Sequence, residues 1–134
     1  MNKLLRTDRF RTYSITQLCR EFGCTSRALR FYEEQGLLFP RRDGMQRVYT
    51  HKDRVRLTLI VRGRGVGLSV AEIRHLLETY DERGEAAQSA LALSIFGKRL
   101  QALEAERAEL EKAAEALTAA IARLGGQPSM TAAA

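Results

Sequence analysis

The sequence predicts a mainly α-helical chain in which a small basic head precedes one long terminal helix. Three observations carry that reading. Apolar residues recur at helical spacing in successive segments, and capping signatures stand at several of their starts. One stretch, FPRRDGMQRVYT at 39–50, breaks the pattern with a proline, an Asp-Gly turn and β-favouring residues. From Leu93 onward the apolar residues alternate in steps of three and four, the pattern of a helix that lies against another.

A chain of 134 residues has room for one modest domain plus an extension. Its net charge of +6 is unevenly spread. Residues 1–75 hold 16 Lys and Arg against 7 Asp and Glu, whereas residues 76–134 hold 6 against 9. A basic front on a mildly acidic rear fits a polyanion-binding head joined to a separate module. There is no run of 18 apolar residues and no apolar h-region near the N-terminus, so the expectation is a cytoplasmic, nucleoid-associated protein without a membrane segment. Cys19 and Cys24 are too few for a disulfide framework, and the expected compartment keeps thiols reduced.

Residues 1–12 show no clean period and read as a mobile basic arm. Structure is expected from Tyr13. Ser14 with Gln17 makes a capping box, and Ile15, Leu18 and Phe22 keep helical spacing until Gly23. Thr25 is a second N-cap, and the segment TSRALRFYEEQGLL then runs to Gly36, which can end a helix in the left-handed conformation. Ala28, Leu29 and Tyr32 share one apolar face; Arg27 and Arg30 share another. Alone, this helix reads equally as an ordinary amphipathic helix with two solvated arginines. Following a short helix and the turn Gly23-Cys24, it reads as the second helix of a helix-turn-helix, the one that enters a DNA groove.

Pro40 stops any helix, Asp43-Gly44 is a turn signal, and Val48 and Tyr49 favour strand. The expectation is a two-stranded hairpin, a wing, carrying Arg41, Arg42 and Arg47 where they can hold phosphates; a merely solvated hairpin is the alternative. A third helix is expected from Asp53 to Arg64, broken by the glycines at 63, 65 and 67. Ser69 and Glu72 form another capping box, opening a helix whose buried face includes Ile73, Leu76, Leu77 and Tyr80. The winged helix-turn-helix head thus spans 13–82, and 83–92 is a connector and the start of the long helix.

Residues 93–124 are expected to form a dimerisation coiled coil. Leu93, Leu100, Arg107, Ala114 and Ile121 occupy one seam position, and Phe96, Leu103, Leu110, Leu117 and Leu124 the other. Such a helix is about 48 Å long and leaves its stripe exposed unless a second chain covers it. Arg107 in the seam costs stability unless it snorkels, and Gly97 weakens the helix by roughly 1 kcal/mol. The charges at Glu104 and Glu111 do not fix strand direction. Residues 125–134, GGQPSMTAAA, read as a flexible tail.

The order of parts resembles the MerR family of bacterial transcription regulators. The stretches that match are Tyr13-Ser14-Ile15, TSRALRFYEEQGLL, Arg47-Val48-Tyr49 and RGRGVGLSVAEI, with 86–124 similar by pattern only. The resemblance implies that Ser26, Arg27 and Arg30 face the major groove, that Arg47 and Tyr49 grip phosphates, and that Arg62 and Arg64 are basic contacts at the end of the third helix. With Ser14, Thr25, Arg41, Arg42 and Tyr32 these make the candidate DNA-binding set; Tyr32 is core, phosphate contact or both. It also implies a homodimer through an antiparallel coil, a palindromic promoter operator in double-stranded DNA whose spacer is bent and undertwisted, and RNA polymerase as a partner.

The run RFYEEQGLLFPRRDGMQRVYTHKDRVRLTLIVRGRGVGLS is similar to the branch linked to leucine, isovalerate and acyl-CoA catabolism. No cysteines stand where metal-sensing or redox-sensing members carry them, so no metal and no cofactor is expected, and a small-molecule effector is left open. Cys19 and Cys24 read as structural, Cys19 as a small core residue. No nucleophile–base pair or phosphate loop points to an enzyme. The competing classes are an architectural or excisionase-like DNA binder and a coiled-coil adaptor. An adaptor would show little salt dependence, and an architectural binder would treat many sequences alike.

Overall fold

The computed structural model describes residues 10–127; the expected arm at 1–12 and tail at 125–134 lie mostly outside them. The described chain runs β1 (Tyr13–Ser14), α1 (Ile15–Phe22), α2 (Ser26–Glu34), β2 (Arg41–Asp43), β3 (Gln46–Tyr49), α3 (His51–Gly65), α4 (Val70–Arg83) and α5 (Glu85–Arg123). Contacts divide it into two compact units, with the boundary between Leu93 and Ser94.

In the first unit the starts of α1 to α4 are each set by a cap. Ser14 Oγ accepts from the Gln17 N–H at 3.1 Å while Gln17 Oε1 accepts from the Ser14 N–H at 2.8 Å, so the capping box is complete. Gly23, at φ 65°, closes α1. Thr25 Oγ1 accepts from the Ala28 N–H at 3.1 Å and opens α2. At its far end Gly36, at φ 72°, lets the Leu37 N–H reach back to the Tyr32 carbonyl at 2.9 Å, which turns Leu37 and Leu38 into the core.

The wing is larger than the hairpin expected from sequence. β3 pairs with β2 in the register Arg42↔Arg47, and on its other edge with β1 through Tyr13↔Tyr49, making a three-stranded antiparallel sheet in the order β1-β3-β2. A two-residue strand has no period of its own, which is why β1 was invisible. The pairing ties the wing to the start of α1.

Helix α3 begins two residues before the expected Asp53, because Thr50 and Asp53 form a capping box of their own. It also runs through two of its glycines. Gly63 is buried where a Cβ would stand 3.1 Å from Ile73 Cγ1, so its lack of a side chain lets α3 and α4 approach. Helix α4 buries Ile73, Leu76, Leu77 and Thr79. Tyr80, expected on that face, is half exposed instead. The core of the unit is Leu18, Leu29, Leu57, Ile60, Ile73 and Leu76, each wholly buried; burial of one such side chain contributes about 1.5–3 kcal/mol.

The connector shrinks to one residue. Asp81 belongs to α4, Gly84 turns the chain at φ 88°, and α5 starts at Glu85. At 39 residues, α5 is roughly 58 Å long from its rise per residue. No helix among the described residues is long and apolar enough to cross a membrane.

Candidate nucleic-acid interface

On α2 the two arginines lie on the uncovered face that their spacing implies. Arg27 and Arg30 are exposed on α2, Ser26 is half-buried, and Arg30 Nε donates to the Ser26 carbonyl at 3.3 Å. Arg41 and Arg42 stand exposed on β2. Beside the wing turn, a groove of about 420 Å³ lined by Ser14, Thr16, Met45, Gln46 and Arg47 opens at the start of α1, where the free N–H groups of a helix favour an anion. Ser14 and Thr25 are both exposed, but each spends its hydroxyl on a cap.

The wing is fastened to α2 through Glu33. Its Oε2 accepts from Arg47 Nε at 2.7 Å, and Arg42 Nη2 lies 3.9 Å from Oε1. Arg47 is therefore not the freely extended phosphate grip that the sequence implied: its side chain is only 21 % exposed and already paired. Tyr49 departs further. It is fully buried, its hydroxyl has no hydrogen-bond partner among the described residues, and burial first, then the nearby Glu33 carboxylate, push its phenol up to about 12. In this conformation Tyr49 is a core residue rather than a surface grip.

Tyr32 is half-buried, its ring centroid 5.9 Å from that of the partly exposed Phe31. Arg62 and Arg64 are exposed at the end of α3, and Arg64 Nη1 donates to the Leu68 carbonyl at 3.1 Å, closing the turn into α4.

Besides Glu33, two further residues that hold the interface in place are not among those expected from the sequence pattern. Asp53 is a buried carboxylate that accepts from the Phe39 N–H at 3.0 Å, the Thr50 N–H at 3.0 Å and Thr50 Oγ1 at 3.1 Å. It joins the chain entering the wing to the chain leaving it. The spacing Thr50-x-x-Asp53 was the available signal. Arg74 of α4 donates to the Gln35 carbonyl through Nη2 at 2.8 Å and Nε at 3.2 Å, satisfying an acceptor that the end of α2 leaves open. Nothing local announces a partner 39 residues away.

Along α5, Leu93, Phe96, Leu100, Leu103, Leu110, Leu117 and Leu124 are all exposed. Ala114 is exposed and Ile121 half-buried. Arg107 is exposed and pairs with Glu111 at 3.4 Å. Leu124 falls in the turn just past the helix end. Among the described residues, no group of three or more His, Cys, Asp or Glu side chains could hold a metal ion.

A three-stranded wing beside a two-helix reader, followed by a second helix pair and a long helix, defines a winged helix-turn-helix protein. Residues 13–80 match the model of the MerR helix-turn-helix family of regulatory proteins, and residues 54–120 match a second model described as MerR, DNA binding. The chain belongs to the MerR family of regulators. It is 37 % identical over 71 residues to the transcriptional regulator CueR of Salmonella typhi, covering 52 % of this chain and 51 % of that one. It thus spans about half the length of the curated relatives it matches. Among solved structures it is similar to HiNmlR, a MerR family regulator lacking the sensor domain and bound to promoter DNA, with a TM-score of 0.61, 26 % identity, and coverage of 87 % of this chain and 92 % of that one. PbrR691 from Ralstonia metallidurans CH34, solved in complex with lead(II), gives a TM-score of 0.51 at 31 % identity, covering 75 % and 86 %.

Proposed function

We propose that the chain is a transcriptional regulator that binds a palindromic promoter operator as a homodimer and distorts the spacer between promoter elements. The observation that carries this is the fastening of the wing to α2 through Glu33. It holds the exposed Arg27 and Arg30 and the exposed Arg41 and Arg42 on pieces that move together. Cations in fixed relation can meet a groove and its flanking phosphates at once. Arg62 and Arg64 extend the contact from α3. HiNmlR, the similar protein solved on promoter DNA, supports promoter DNA as the target.

The exposed stripe of α5 supports the homodimer, since its leucines would otherwise stand in water. Two heads on an antiparallel coil then read two half-sites. Bending and undertwisting a site of that size costs on the order of 1–6 kcal/mol, to be offset by phosphate contacts. RNA polymerase is the partner that such a distorted spacer serves. The regulated operon we assign to catabolism of branched-chain amino acids and acyl-CoA, on the similarity of residues 30–69.

Footprinting on DNA upstream of the chain's own gene and its neighbours tests this. A regulator protects one symmetric site and prefers it to random duplex by about 10³–10⁷-fold. Equal binding to all duplexes would make it an architectural protein instead. A stable lone subunit in sedimentation, or a straight and normally wound bound duplex, overturns the homodimer-and-distortion reading. Unchanged transcripts of catabolic genes on deletion overturn the pathway.

A further inference from the structure

The two cysteines flank the turn between α1 and α2, and Cys19 is not the buried core residue that the sequence suggested. Both are half-buried free thiols. The Cys24 N–H donates to the Cys19 carbonyl at 3.2 Å across the left-handed Gly23. A bond of this kind, closing the end of a helix, is frequently accompanied by contact between the two side chains it joins. Standard backbone dimensions then hold the two Cα atoms to at most about 7 Å, and a disulfide spans roughly 4.4–6.8 Å. The Cys24 thiol is pushed up first by burial and then by the neighbouring Cys19 sulfur, as expected of two adjacent thiols. Cys19 Sγ also lies 3.7 Å from Ser26 Oγ, in the first turn of α2.

We propose that Cys19 and Cys24 form a reversible disulfide across the turn of the helix-turn-helix, and that this bond weakens DNA binding. The oxidant is a hydroperoxide. The Cys19 sulfur attacks the outer oxygen, the O–O bond breaks, and the rest leaves as an alcohol or, from hydrogen peroxide, as water. Cys24 sulfur then attacks the resulting sulfenic acid, the S–O bond breaks, and the hydroxyl leaves as water with the remaining thiol proton. Two thiols and one hydroperoxide become one disulfide, one alcohol and one water.

Drawing Cys19 Sγ toward Cys24 takes it from Ser26, and Cys24 directly precedes Thr25, the N-cap of α2. The shift falls on Ser26 and Arg27, where the reader begins. A loop this short constrains the unfolded chain little, so the bond fits a labile switch better than a structural staple. Where disulfides occur in reducing compartments they are usually of this transient kind.

The regulatory half of the proposal rests on the DNA-binding reading; the covalent half does not. The full chain is treated with hydrogen peroxide, alkylated, and digested with trypsin without reductant. Cleavage after Arg11, Arg20 and Arg27 places one cysteine in peptide 12–20 and the other in 21–27. The expected result is that pair joined by a disulfide and separated by dithiothreitol. Operator affinity of the oxidised protein falls about tenfold or more, a usual size for coupling between two sites, and dithiothreitol restores it. Cys24→Ser and Cys24→Ala keep their affinity under peroxide. Absence of the linked pair, a disulfide between two chains in its place, an oxidised affinity equal to the reduced one, or peroxide sensitivity in the Cys24 variants overturns the proposal. A reduced protein that binds no DNA sinks the regulator reading and the switch with it, while the peptide pair still reports the bond.

Discussion

Glu33 of α2 accepts a hydrogen bond from Arg47 of β3 at 2.7 Å, joining the reading helix to the wing across fourteen residues of sequence. Because that arginine is already neutralised, its effect on DNA differs from that of its more exposed neighbours.

Arg47→Ala is expected to weaken operator binding by loosening the wing, with little change in salt dependence, since its charge is spent on Glu33. Arg42→Ala removes a mostly exposed cation, 57 % accessible and only distantly paired. It should lower the slope of log K against log salt by about 0.9, one phosphate's share. Affinity titrations at several salt concentrations separate the two. Equal slopes for both variants would mean that Arg47 leaves Glu33 for a phosphate when DNA binds.

Tyr49→Phe deletes a buried hydroxyl that has no partner among the described residues. Removing an unsatisfied buried polar group should stabilise the fold by about 1 kcal/mol, read from urea midpoints. Operator affinity should not change. A loss of affinity would show that the hydroxyl turns out to meet DNA, as the family resemblance implied.

The phenol of Tyr49 also carries a pH signature. Its folded value of about 12 lies above the usual 10, so its contribution is complete below pH 10 and lost as pH rises from 10 toward 12. Ultraviolet absorbance should show one tyrosine ionising about two units late, and Tyr49→Phe should remove that late step.

Acid acts on different groups. Hydrogen bonding to Arg54 holds Glu21 below its usual 4.5, and although burial pushes Asp81 up, Lys52 and Arg56 hold it below 3.8. Folded values below unfolded ones give stability that is present at neutral pH and lost as pH falls through those values. The thermal midpoint should therefore drop as pH falls below the ordinary values of 4.5 and 3.8, and drop less in Asp81→Asn than in the unaltered chain.

Gly63 and Gly97 should respond to alanine with opposite signs. At Gly63 the new Cβ would meet Ile73 at 3.1 Å and Leu68 at 3.3 Å, both wholly buried, so each must shift within a packed core. Overpacking of that kind costs about 1–3 kcal/mol. Gly97 has nothing within 4 Å, so Gly97→Ala should stabilise α5 by roughly 1 kcal/mol through helix propensity alone. Chemical denaturation of the two variants checks both.

The sequence by itself determined the order of the helices, the caps of α1, α2 and α4 and the exposed arginines of α2, because those depend on residues three or four positions apart. Ser14 with Gln17, Thr25 with Ala28 and Ser69 with Glu72 are bonds within one turn of chain, and the matching bonds are all present. Only the tertiary structure decided what the wing residues do. Tyr49 reads as any strand aromatic until β1 pairs against it and the core closes over its ring. Arg47 reads as a free cation until folding brings Glu33 to it, and Arg74 has no visible purpose until Gln35 arrives from far along the chain. An isolated segment cannot specify such partners, since burial and pairing at long separation are properties of the whole packed unit.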